Sequence, residues 1–187
     1  MAVLGLKALI SVEPAKRATR DFEQSLYDIL LPVPEKAPIS IPNILSRPIF
    51  MRRDYGFVYG MTPIPRSVED LEGRRVLLTA QYRYHPSITG NGRINLVYGN
   101  HDEDNMRALA RGRAEVFVVE EFSGLRAAAA LSGIRYDRSS PLSQTAVFMA
   151  VQGTSCGQLL AAEMDAALSD VINGGFYRRA MGLDANW

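Results

Sequence analysis

Apolar and polar positions along the chain follow two alternating rhythms. Short, nearly continuous apolar runs recur as Leu6–Val12 (LKALISV), Asp28–Val33 (DILLPV), Tyr55–Met61 (YGFVYGM) and Arg74–Ala80 (RRVLLTA). They continue as Ile94–Tyr98 (INLVY), Val116–Val119, Ile134–Tyr136 and Thr145–Val151 (TAVFMAV). Runs of this length and β-branched content read as strands. Val116–Val119, apolar at every position, fits a parallel strand covered on both faces. Between them lie segments whose apolar residues recur at helical spacing: Ala15–Tyr27 with Ala18, Phe22 and Leu26, a helix holding Met106, Leu109 and Ala110, and the Ala-rich Glu121–Leu131. The longest is Gln158–Ile172, with Leu160, Met164, Ala167, Leu168 and Val171 on one stripe. Strands alternating with helices predict an α/β fold with mainly parallel sheets.

The breaks are equally specific. Pro14 suits the first turn of a helix. Pro34, Pro38, Pro42 and Pro48 make 34–48 an extended loop, because proline fixes φ and removes a donor. TPIPR (62–66) ends a strand and marks a boundary, after which Ser67 with Asp70 forms a carboxylate version of the capping box. QYRYHPS (81–87) is an aromatic-rich loop leading to a short helix near Pro86. Asn100 and Asp102 offer N-caps for the next helix, with Glu103 and Asp104 in its first turn and Arg111 in its last, as the helix dipole favours. Gly112 and Gly133 end helices, and Phe176–Met181 add a terminal helical turn.

Composition narrows the function classes. With 187 residues the chain is long enough for a real core, as one domain or two small lobes. Twenty-one basic against twenty acidic residues give a net charge of +1, so bulk electrostatics favour neither nucleic acid nor an anionic membrane. The single Cys156 forms no intrachain disulfide and reads as a small buried residue. His85 and His101 lack partners at metal-ligand spacing, so neither metal nor cofactor is expected. No apolar run reaches the length of a membrane span. MAVLGLKALISVEP has Lys7 in its middle and no clear cleavage site, so it reads as structure rather than a signal peptide. Neither a G-x-S-x-G elbow nor a phosphate-binding Gly pattern occurs.

Several words, in this order, resemble the family 3 solute-binding proteins, the extracytoplasmic receptors of polar amino acid ABC transporters. They are SLYDILLPVP, SRPIF, SVEDLEGRRVLLT, ALARGRAEVFVVEE and FMAVQGTSCGQLLAAEMDAALSDVINGGFYRRAMG. The resemblance runs from about Leu6 to Gly182. It implies a two-lobed type II periplasmic-binding fold, with ligand bound in the cleft by hinge closure. Lobe one would be 1–60 with 151–187, and lobe two 61–150. A small polar ligand, an ABC permease as partner, a periplasmic or extracytoplasmic location and no catalysis follow from the same resemblance. The family ordinarily begins with a further strand and helix, so the first lobe reads as incomplete. A truncated start, a rearranged lobe, or a second copy of the chain completing the lobe would account for this, and the homodimer is preferred.

The resemblance also points to site residues. Glu120 falls where the family has an acid that meets an α-amino group; its other reading is an N-cap of the following helix. Glu121 reads as a helix acid. Gln81, Tyr82 and Arg83 follow the RRVLLTA strand, where the family binds ligand through a loop. The family's carboxylate-clamping Arg is replaced by PEKAPIS, with Ser40 or Ile39 at its place. Arg83, Lys36 and Arg47 are the substitutes at hand. Ser40 and Arg47 are thus candidates too, although each of these residues also reads as ordinary surface. The alternative function is a protein that kept the fold, lost ligand binding and serves as a structural or interaction module. An enzyme built on the fold, with Glu120 as its acid or base, is a third reading.

Overall fold

The computed structural model describes residues 7–35, 37–80 and 82–173. The chain divides into two compact units, Met1–Phe50 with Ala146–Trp187, and Met51–Thr145. It passes between them within two ten-residue strands, β3 (Phe50–Tyr59) and β8 (Ser143–Gln152).

The first unit is built on β8. The strand β1 (Ile29–Pro34) and the short β2 (Asn43–Leu45) both pair with it antiparallel, with Leu30 and Ile44 opposite Ala150 and Val151 respectively. The helix α1 (Ala15–Glu23) seats Phe22 against Leu30, Val33 and Ala150. It is shorter than the expected 15–27. Ser25 takes a left-handed φ of 57°, and the Leu26 N–H reaches back to the Asp21 carbonyl at 3.0 Å, a Schellman-type stop. The long helix α5 (Ser155–Asn173) follows β8. Three further expectations change in this unit. Leu6–Val12 is not a strand: from Lys7 onward the segment has no regular structure, and Leu9, Ile10 and Val12 are exposed. Proline spacing did not prevent β2 from forming in 34–48, because Asn43–Leu45 lies between prolines. Cys156 is exposed at the start of α5 rather than buried. Lys36 and Phe176–Met181 lie outside the described residues.

The second unit is a sheet in the order β3, β6 (Val116–Glu120), β4 (Arg75–Thr79), β5 (Asn95–Gly99). β4 runs parallel to both β5 and β6, whereas β3 is antiparallel to β6 and to the two-residue β7 (Ile134–Arg135). The sheet is therefore mixed rather than mainly parallel. Alternation sends Val76, Leu78, Val116 and Val118 to one face, where Leu71, Ile88 and Ile94 meet them. Leu77, Phe117 and Val119 go to the other face, with Met106 and Leu109 of α3 (Asp102–Ala110). Burial on both faces is why Val116–Val119 is apolar throughout; each such side chain contributes roughly 1.5–3 kcal/mol. Gly112, at a φ of 70°, stops α3. Half of the expected capping box is present: Asp70, in a 3-10 turn at Glu69–Leu71, accepts from the Ser67 N–H at 3.2 Å, but the cap position is Val68 and no side chain caps the turn.

The helix α4 (Glu121–Ala128) lies so close to the sheet that a Cβ on Gly124 would collide with the Phe57 ring and with Val119. Gly124→Ala is therefore expected to lower unfolding free energy by about 1–3 kcal/mol, read as a lower urea midpoint with an unchanged slope.

Candidate functional site

The order of the second unit's strands fixes where its functional end lies. From β4 the chain goes through the short helix α2 (Pro86–Thr89) to β5 on one side, then through α3 to β6 on the other. The two crossovers use opposite faces: Ile88 joins one core, Met106 and Leu109 the other. The connections leaving β4 and β6 thus part at their carboxyl ends, a topological switch point, where open α/β sheets bind ligands.

A buried polar knot holds that point. Asp102, the first residue of α3, is 4% exposed, and its Oδ1 accepts from the Thr79 hydroxyl at 2.5 Å. The Asn105 amide donates to the same Thr79 oxygen at 2.9 Å, and the Tyr82 hydroxyl donates to Asp102 Oδ2 at 3.2 Å. Hydroxyl donors and the positive end of α3 thus hold this carboxylate in place of a cation. Asn100 and Asp102 were expected as N-caps; the cap position is His101, and Asp102 turns inward instead. Tyr84 is buried, and its hydroxyl accepts the Thr79 N–H at 2.9 Å; burial pushes its pKa well up.

Beside the knot runs the start of β3. Arg52 Nε donates to Asp54 Oδ1 at 2.9 Å, and its Nη2 lies 2.8 Å from the same oxygen without a well-directed hydrogen bond. The Ser143 hydroxyl takes the other Asp54 oxygen at 2.8 Å. The Arg52 guanidinium lies 5.9 Å from the Tyr82 ring centroid and 5.7 Å from that of Tyr84, within cation–π reach of both. Asp54 pairs across the strands with Glu120, which puts two carboxylates side by side at the carboxyl end of β6.

Each predicted residue can now be placed. Glu120 is the N-cap of α4, its two oxygens each accepting at 3.0 Å, from the Phe122 and Ser123 N–H groups. Glu121 faces its own neighbours, accepting from the Tyr136 hydroxyl at 2.9 Å and pairing with Arg138 at 3.0 Å. Tyr82 is half-exposed over Asp102. Arg83 is exposed and makes no ion pair among the described residues. His85 caps α2, its Nδ1 accepting from the Ser87 N–H at 3.2 Å. Gln81 lies outside the described residues. In the first unit, Ser40 binds Glu23 through its N–H at 2.6 Å and its hydroxyl at 2.7 Å, and these bonds hold the Glu23 carboxyl below its ordinary range. Arg47 is tied to α5, its N–H to Asp165 at 3.0 Å and its guanidinium to Ser169. Tyr82 and Arg83 follow β4, and Glu120 ends β6, all in the second unit; Ser40 and Arg47 are engaged in first-unit contacts.

Arg52, Asp54, Thr79 and Asp102 were not read from the sequence as site residues. Arg52 and Asp54 carried a signal, opposite charges at i and i+2 on one face of a strand. Asp102 carried none, because a first-turn acid is ordinarily exposed. Among the described residues, no group of three or more His, Cys, Asp or Glu is placed to hold a metal ion, and no helix is long and apolar enough to cross a membrane. A shallow hollow of about 490 Å³ beside β7 has its charges paired locally: Arg66 with Asp137 at 3.3 Å, and Arg135 with the Thr62 carbonyl at 2.8 Å.

With this geometry in view, similar solved structures supply the fold. The chain has the type II periplasmic-binding-protein fold. It is similar to a mutant of ArgBP from T. maritima, at 19% identity with a TM-score of 0.72 over 94% of this chain and 76% of that one. An ancestral arginine-binding protein bound to glutamine superposes with a TM-score of 0.71 at 16% identity, over 94% and 79% of the two chains. A histidine kinase sensor domain with similarity to periplasmic binding proteins follows at 19% identity and a TM-score of 0.70, over 90% and 74%. No family model and no curated protein sequence matches the chain. At these identities the likeness establishes the fold, and the site must be argued from its own residues.

Two outcomes are expected. Arg52→Met strands the buried Asp54 carboxylate and should cost about 3 kcal/mol in urea unfolding, whereas Arg83→Ala should stay within about 0.5 kcal/mol. Burial first, then the hydrogen bond to Glu121 and that residue's charge, push Tyr136 from 10.0 up to about 12. Folding thus favours the protonated phenol. The associated stability is present below pH 10 and is lost as pH rises through 12, so alkaline unfolding should be blunted in Tyr136→Phe.

Proposed function

We propose that the protein is a noncatalytic solute receptor that takes a small polar, amino-acid-like ligand at the carboxyl ends of β4 and β6. The observation that carries this reading is the switch point itself, with the exposed Tyr82 and Arg83 just past β4 and Glu120 as the last residue of β6. Arg83 is the anion clamp of this reading. A guanidinium can meet a carboxylate through two parallel hydrogen bonds, each stronger than a neutral one. Glu120 is the ammonium acceptor. A carboxylate has about four lone-pair sites; the cap of α4 uses two of them and leaves room for a ligand donor. Tyr82, held by Arg52 and Asp102, offers a fixed aromatic surface. Gln81 belongs to the same loop. Ser40 and Arg47 rank behind these, since each would have to leave an existing partner.

Delivery to an ABC permease outside the cytoplasmic membrane belongs to the same reading. It is supported by the fold shared with a substrate binding protein of an amino acid ABC transporter, at 16% identity. Glu120's engagement as a helix cap favours the other reading, a fold that has lost its ligand and serves as an interaction module.

The test is calorimetric titration and thermal shift with a panel of zwitterionic amino acids. The proposal expects saturable stabilisation by at least one of them, weakened about tenfold or more in Arg83→Ala and in Glu120→Gln. A flat response across the panel at millimolar concentration would sink it in favour of the interaction module. Binding that survives both substitutions would move the site elsewhere.

A further inference from the structure

The hollow beside β7 has more donors than its own residues use. It lies wholly within the second unit, between the 61–66 segment and the residues that follow Ile134. None of Tyr82, Arg83 and Glu120 lines it, so it plays no part in the ligand reading. Three guanidiniums line it, those of Arg66, Arg135 and Arg138, against one carboxylate, that of Asp137. All three arginines are exposed.

The local partners of these arginines differ in kind and leave much of each side chain unused. A guanidinium carries five N–H donors. Arg66 approaches Asp137 through Nε at 3.3 Å, and Arg138 approaches Glu121, outside the lining, through Nε at 3.0 Å. Arg135 donates through Nη2 to the Thr62 carbonyl at 2.8 Å, which fixes its head without cancelling its charge. The Nη groups of Arg66 and Arg138 make no hydrogen bond among the described residues. Asp137, in contrast, is turned to its own loop. Its Oδ1 accepts from the Ser139 N–H at 2.9 Å and the Ser139 hydroxyl at 2.6 Å, and its Oδ2 from the Ser140 hydroxyl at 3.2 Å. These bonds hold its carboxyl below the ordinary range. With Arg66 on Oδ2 as well, its roughly four lone-pair sites are taken, and it does not compete for Arg135 or Arg138.

The frame that carries the arginines is set in advance. Arg135 lies in β7 opposite Val58 of β3, and Pro63 and Pro65 restrict the segment that leads to Arg66. Groups already held in place cost less to order when a ligand arrives. A planar carboxylate takes one guanidinium fork. A phosphate monoester offers three acceptor oxygens and about two negative charges at neutral pH, which suits three guanidiniums from separate stretches of chain. Beyond the arginines, the exposed Met61 with Pro63 and Ile64 adds an apolar wall. The volume of about 490 Å³ falls within the ~300–1,000 Å³ of small-molecule sites, leaving room for an organic group next to the phosphate. We propose that this hollow binds the phosphate group of a small organic ester, held by Arg66, Arg135 and Arg138, with the organic part against Met61 and Ile64.

Calorimetric titration of the full chain with phenyl phosphate and with inorganic phosphate, in an amine buffer, tests this. Saturable binding of phenyl phosphate with a sub-millimolar dissociation constant is expected, and inorganic phosphate should bind about tenfold more weakly for want of the apolar contact. Equal affinities would overturn the ester and leave free phosphate as the ligand. Benzoate, planar and singly charged, should bind at least about tenfold more weakly than phenyl phosphate, and benzoate binding as well would overturn the choice of phosphate. Arg66→Gln and Arg135→Gln should each weaken phenyl phosphate about tenfold or more, and Arg135→Lys, which keeps the charge and loses the fork, about threefold or more. Arg17→Gln removes the same charge from an exposed position in the first unit and should change nothing. No saturation by either phosphate up to about 10 mM, or an equal loss in Arg17→Gln, would sink the proposal. Because Arg66 and Arg135 are exposed, the urea midpoints of their variants should match that of the parent, which separates lost binding from lost fold. The outcome is independent of the amino acid titrations.

Discussion

The second unit depends on keeping a carboxylate in its interior. Asp102 is almost wholly buried and makes no ion pair among the described residues, and removing charge from water costs several kcal/mol unless other groups replace the hydration. Here the replacement is distributed. Thr79 at the end of β4 and Tyr82 in the following loop give hydroxyl donors, and the first turn of α3 presents its positive end. Asn105, one turn further along α3, binds Thr79 as well and orients its hydroxyl. Each partner comes from a different stretch of chain, so satisfying Asp102 also fixes the end of β4 against the start of α3. That junction is the switch point of the sheet, which gives the loop carrying Tyr82 and Arg83 a defined position.

Arg52 extends this order to β3. It neutralises Asp54, the carboxylate opposite Glu120 on the neighbouring strand, and lies over the rings of Tyr82 and Tyr84. Without it, two carboxylates would sit side by side at the carboxyl end of β6. With it, Asp54 is neutralised, and Glu120 gives its two oxygens to the cap of α4. The distribution of work is uneven: Arg52 is used for structure and Arg83 is left at the surface. A cation already committed to a buried partner has little to give a ligand, which is why the proposed reading rests on Arg83 and not on Arg52.

The first unit poses a different problem. It pairs β1 and β2 onto one strand and seats Phe22 of α1, but it leaves an apolar groove walled partly by the segment at 7–13. The apolar character of that segment suggested a strand. The structure gives it no ladder, because a strand exists only where a neighbouring backbone takes up its donors and acceptors. Apolar content told that these residues seek burial; it did not tell what would bury them.

Much of the architecture was legible in order and spacing. β4, β6, α3 and the stop at Gly112 could be read from periodicity and end signals, because local conformational preference and two-sided burial act on the same residues there. Glu120 was readable as both a cap and a candidate, and its oxygens do serve the cap. What the sequence left undetermined was partnership. Arg52 reaching Asp54 and two tyrosines, Asp102 turning inward to Thr79, and β3 and β8 lengthening to ten residues each depend on groups far apart along the chain. The sequence by itself determined where β4, β6 and α3 lie and that Val116–Val119 would be buried on both faces, since those follow from side-chain alternation and local backbone geometry. The tertiary structure alone decided which charges are buried, which remain at the surface and which apolar residues stay uncovered, because desolvation and pairing are properties of neighbours brought together by folding.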